Sequence, residues 1–135
     1  MNLRTNLAAL GRVLIAVLYL TAGFGKIAHP AETQAYIASV GLPLPLLSYL
    51  VAVVFEVGGG VLLLIGYQVR WVSLAVAAFT LVAGVLFHNH FSDQNQLIHF
   101  LKNIAIIGGL LQIAAYGAGA FSLDSRRLKM AHTAT

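Results

Sequence analysis

Residues 44–67 read LPLLSYLVAVVFEVGGGVLLLIGY, an apolar run broken by one formal charge, Glu56, close to its middle. At 1.5 Å per residue, a helix of this length crosses a hydrocarbon layer of roughly 30 Å. Three more runs share this character: Leu7–Ile27, Trp71–His88 and Leu97–Gly117. Together they predict an all-α integral membrane four-helix bundle, one domain over residues 1–135. A short polar tail, 123–135, follows the last crossing and reads as a juxtamembrane anchor. The first run has a signal peptide as its rival reading. It exceeds a usual h-region and has no clear A-x-A site, so it is expected to remain as a helix.

Composition supports the membrane reading. Of 135 residues, 59% are hydrophobic and 9% charged, which leaves too little polar surface to cover a water-soluble core of this size. The net charge of +4 is not a nucleic-acid signature, because Lys and Arg stand singly or at the ends of apolar runs and form no basic stripe. The chain has no cysteine, which excludes a disulfide framework, a thiolate-held iron–sulfur site and CxxC chemistry within it.

The connections differ in kind. Gln68, Val69 and Arg70 leave room only for a tight reversal, making the second and third crossings an antiparallel hairpin. His29–Pro43, HPAETQAYIASVGLP, predicts a short helix at the membrane surface. Pro30 suits its start, Tyr36, Ile37 and Val40 share one face, and Gly41 with Pro43 stops it. Asn89–Gln96 is polar and shows no helical pattern. With four crossings, Arg4, Arg12, Arg70, Arg126, Arg127 and Lys129 belong to one side, against Lys26 and Lys102 on the other. That bias predicts cytoplasmic N- and C-termini.

Charged groups inside apolar helices are costly, so each needs a partner or a task. Arg12, Tyr19, Gly23 and Lys26 follow at intervals that bring them onto one helix face; Tyr49, Ala52, Glu56 and Gly60 do the same on the next. Small residues let those faces meet closely. Arg12 is the leading expected partner of Glu56, with Lys26 and Lys102 approaching from the opposite half. Three readings of Glu56 stand open: a fold-specifying ion pair, a group serving a ligand, proton or quinone, and a neutral protonated carboxyl. At the far ends of the third and fourth runs gather His88, His90, His99, Lys102 and Asn103. The three histidines are a candidate three-nitrogen metal site, although H-x-H is a weak signal beside ordinary hydrogen bonding or proton transfer. "EVGGG" has no P-loop context; its glycines, like Gly108 and Gly109, serve helix packing or a local bend at Glu56.

In order and spacing, "GRVLIAVLYLTAGFGKIAHP", "YIASVGLPLP", "FEVGGGVLLLIGYQVRWVSLAVAAFTL", "HNHF" and "LIHFLKNIAIIGGLLQI" resemble the DoxX family of small bacterial inner-membrane proteins. The resemblance implies a polar framework of Arg12, Lys26, Glu56, Arg70, His88, Lys102 and Asn103. It also implies an association, for some members, with membrane oxidoreductase assemblies, including thiosulfate and quinone metabolism. "HNHF" departs from a double-histidine version by placing Asn89 between His88 and His90. The expectation is an accessory or quinone-interacting subunit of an oxidoreductase complex, with a pocket near Arg12 and Glu56 and the redox centre on a partner protein. No cofactor motif is present. A small-molecule or proton translocator using Glu56 and a structural scaffold are the alternatives; membrane lipids, a partner oxidoreductase and further copies of the chain are the expected contacts.

Overall fold

The computed structural model describes residues 2–87 and 92–133, the last three by their backbone alone. Seven α-helices are present among them: α1 (Leu3–Ala28), α2 (Pro30–Ser39), α3 (Pro45–Val53), α4 (Gly59–Ile65), α5 (Val69–Phe87), α6 (Gln94–Tyr116) and α7 (Leu123–Thr133). A π-helical turn, Val54–Gly58, joins α3 to α4, so that Pro45–Ile65 runs as one span. Four helices are long and apolar enough to cross a membrane: α1, the α3–α4 span, α5 and α6. The described residues contain no strand.

Local chemistry sets the helix ends. Asn2 caps α1 by accepting from the Arg4 amide at 3.0 Å, so the helix begins before the apolar run does. Pro30 opens α2, as expected, and Gly41 ends the segment at φ +85°. Asp93 caps α6, its carboxylate accepting from the Asn95 amide at 2.9 Å. That cap draws Gln94–Gln96 into the helix, so the polar connection is shorter than hydropathy suggested. The polar tail is itself helical: Ser122 accepts from the Ser125 amide at 3.0 Å and starts α7.

The spans close into a ring, in which α1 packs on α4 and the π turn, α4 on α5, α5 on α6, and α6 on α1. Ala16, Tyr19, Leu63, Val76, Leu110 and Ile113 fill its centre. Close approach of α1 to the π turn depends on Gly23, where an added Cβ would lie 2.6 Å from Val57 Cγ2 and 3.2 Å from the Val57 amide nitrogen. Outside the ring, Leu14, Val17, Leu50, Val54, Val82 and Leu111 are exposed. A soluble protein would hide such a surface, whereas lipid is its natural solvent.

Candidate functional site

Buried charge is the strongest organising constraint in these spans, and its partners differ from the expected ones. Arg12 does not pair with Glu56. Only 1% exposed, it distributes its five N–H groups over five backbone carbonyls. Nε donates to Ala118 O at 2.9 Å, Nη1 to Leu63 O and Leu64 O at 2.6 Å each, and Nη2 to Ala120 O and Phe121 O at 3.1 Å each. The physical reason lies in helix ends. The last carbonyls of a helix lack intrahelical donors, and the segment between α6 and α7 has no helical ladder of its own, so both supply acceptors close to Arg12. A planar five-donor fork satisfies such a cluster better than one carboxylate deeper in the span would satisfy the fork.

Beside this fork, Asp124 holds the reversal between α4 and α5. Its two carboxylate oxygens accept from the Gln68 and Val69 amides at 2.8 and 3.0 Å, and its own amide donates to Gly66 O at 2.9 Å. A carboxylate at the start of α5 matches the free N–H groups and positive end of the helix dipole. No sequence pattern signals this role, because Asp124 stands in a polar tail far along the chain from the helix it caps.

Glu56 instead meets Lys26, whose Nζ lies 2.9 Å from Oε1. The π turn carries Glu56 at its centre and turns it inward, leaving the residue 8% exposed. Such turns insert one residue into the helical register and are frequent at functional sites. Tyr49 supports the arrangement from α3, its hydroxyl donating to Lys26 O at 3.0 Å. Glu56 Oε2 is buried and has no hydrogen-bond partner among the described residues.

The carboxylate faces a cavity of about 550 Å³ between α1, α2, the α3–α4 span, α5 and α6. Its wall is mainly apolar and aromatic, with Leu18, Val51, Phe79 and Leu86, and its polar groups are few: Tyr19, Lys26, Glu56, Thr80 and Asn103 among them. Thr80 donates its hydroxyl proton to Val76 O at 2.7 Å, so in the Tyr19–Thr80 hydrogen bond the tyrosine is the donor. Tyr36 and Phe87 stack at the rim, with ring centroids 5.5 Å apart. A largely apolar cavity with a few convergent polar groups is the usual form of a small-molecule site.

Of the residues singled out from sequence, the cavity brings together Lys26, Glu56 and Asn103. Arg12 lies outside its lining, within the carbonyl fork, and Lys102 is exposed on α6. His88 and His90 fall outside the described residues; His99 is on an exposed part of α6. Among the described residues no three His, Cys, Asp or Glu side chains gather as metal ligands. Thr80 was not singled out, although Ser73 and Thr80, seven apart in an apolar helix, mark the face that is buried.

Comparison with known proteins places the chain at the level of family. DoxX matches residues 7–89. The chain belongs to the DoxX family. Inner membrane protein YqjF of Escherichia coli (strain K12) is 40% identical over 116 residues, covering 84% of this chain and 85% of that protein. Inner membrane protein YphA of the same strain is 33% identical over 129 residues, 91% of each chain. A shorter likeness, 30% over 80 residues, joins 56% of this DoxX chain to 26% of the ER-derived vesicles protein ERV29 of Saccharomyces cerevisiae (strain ATCC 204508 / S288c). No solved structure matches. Family and apolar helices together make this DoxX chain a multi-pass inner-membrane protein.

Proposed function

We propose that this protein is an accessory, quinone-interacting subunit of a membrane oxidoreductase complex, and that its cavity takes the quinone head while a partner protein carries the redox centre. The observation that carries the reading is Glu56 Oε2, buried without a partner among the described residues at the edge of a mainly apolar cavity. A quinone carbonyl accepts hydrogen bonds, and Lys26 has N–H groups beyond the one given to Glu56. The hydroxyl of the reduced form both accepts from Lys26 and donates to Glu56. The apolar wall suits the ring and the start of an isoprenoid tail. In the same reading the termini face the cytoplasm. What supports that orientation is the excess of Lys and Arg at the end bearing both termini.

The translocator reading has less support. Between the cavity and the end bearing the termini, Ala16, Leu63 and Leu110 are packed with no exposure, and the Arg12 fork ties the segments beyond them.

The test is gentle purification of the protein in detergent, followed by identification of copurifying partner proteins and of quinone extracted from the preparation. Wild-type protein is expected to retain quinone in near-stoichiometric amount and to bring a redox protein with it, and Glu56→Gln to retain at least tenfold less quinone, the scale of one hydrogen bond to a charged group. Wild-type protein that neither retains quinone nor binds it when added contradicts the reading.

A further inference from the structure

A trans peptide is planar, and its C=O and N–H point in opposite directions. No described peptide is cis. The carbonyls of Ala118, Ala120 and Phe121 all point at the Arg12 guanidinium. The N–H groups of the same three peptide units belong to Gly119, Phe121 and Ser122, and these therefore point away from Arg12. None of the three makes a hydrogen bond among the described residues; the Ala120 amide, by contrast, donates to Thr5 O. Collecting carbonyls around a buried cation has left a row of backbone donors on the opposite side of the segment.

Gly119, Phe121 and Ser122 line a second cavity, of about 700 Å³, at the end of the bundle that bears both termini. Arg126 and Lys129 also line it, and among the described residues no carboxylate does. Neither cation has a hydrogen bond or ion pair to its side chain among the described residues, while the neighbouring Arg127 lies over the Tyr67 ring, 5.7 Å from its centroid. Gly119 is fixed in place by contact: an added Cβ would come within 2.7 Å of Thr5 O and 2.9 Å of the Ala9 amide nitrogen.

We propose that this second cavity binds a phosphate group, held as the headgroup of an anionic phospholipid. The successive outward N–H groups of Phe121 and Ser122, with that of Gly119 beside them, suit an anion-binding concavity, and two uncommitted cations supply the charge that phosphate requires. The position selects lipid over free phosphate. Trp71, Tyr116 and Phe121 are exposed at this end, as aromatic side chains are at a membrane–water interface. Ile65 and Leu123, also at the cavity, present exposed apolar surface where acyl chains would begin. The site is separate from the Glu56 cavity and does not depend on what that cavity binds.

Native mass spectrometry of the detergent-purified protein, titrated with phosphatidylglycerol or with inorganic phosphate, tests the proposal. Wild-type protein and Arg127→Gln are expected to hold one phosphatidylglycerol equally well. The double variant Arg126→Gln/Lys129→Gln is expected to bind it roughly thirtyfold more weakly, the effect of two surface cations, with an unchanged melting midpoint. Equal weakening in Arg127→Gln would show diffuse surface charge and overturn the site; so would undiminished binding in the double variant. Displacement of the lipid by an equal concentration of inorganic phosphate would overturn lipid as the source.

Discussion

Arg12, toward the end that bears the chain termini, has every N–H group on a backbone carbonyl, whereas Glu56, in the adjoining span, has one oxygen on Lys26 and the other without a partner among the described residues. Both are buried ionisable side chains in apolar helices, and both are costly there. The difference teaches how to tell structural charge from functional charge. A fully satisfied group has no capacity left for a ligand and holds its surroundings in one arrangement. A partly satisfied one beside a cavity is poorly explained by stability alone, since a buried acceptor without a donor costs about 1–3 kcal/mol. The end around Arg12 is a clasp for the fold, and the region around Glu56 is where we propose the ligand site.

If that contrast holds, substitutions at the two regions separate into losses of stability and losses of binding. The largest effect is expected at Arg12. Arg12→Lys has three donors for five carbonyls, of which Leu63 O also accepts from the Gly66 amide, so at least one is left without a donor; the change should cost about 3 kcal/mol, read as a lowered midpoint in thermal unfolding of the detergent-solubilised protein. A wild-type midpoint would remove the clasp. Next comes Asp124→Asn, which keeps the shape but replaces one of two accepting oxygens by a donor facing the Gln68 and Val69 amides. About 1–2 kcal/mol is expected by the same measurement, as for loss of a helix cap. Tyr19→Phe removes one buried donor from Thr80 and should cost about 1 kcal/mol. A loss as large as that of Arg12→Lys would mean that the cavity floor belongs to the clasp.

The four crossings were legible because hydropathy over a span length depends on little besides the solvent of the helix. The short α2 was legible too, since Pro30 and Gly41 act through their own backbone preferences. The partner of Arg12 was not. Pairing by charge considers only side chains, and here the acceptors are carbonyls of Leu63, Leu64 and the 118–121 segment, brought together by folding. Glu56 itself stands out in the sequence, and Lys26 is among the cations that can approach it from the opposite half. Their contact needed the π turn, for which "EVGGG" gave only the hint of a bend. The cavity's Tyr19–Thr80 floor joins residues on two helices whose mutual rotation no single-helix pattern fixes. The α7 helix was missed because its residues are mostly polar and its cap comes from Ser122, just outside it.

Glu56→Gln discriminates most directly between a clasp and a site. The change keeps the side chain's shape, its amide oxygen can still accept from Lys26, and the Lys26 side chain, 31% exposed, keeps its charge in contact with solvent, so the unliganded protein should melt within about 1 kcal/mol of wild type. The decisive measurement is the shift of that midpoint when a short-chain quinone is added. At a hundred times its Kd the ligand should stabilise wild-type protein by about 2.7 kcal/mol and Glu56→Gln by much less. An unliganded Glu56→Gln that unfolds as readily as Arg12→Lys, or that gains the full wild-type shift, would contradict the account.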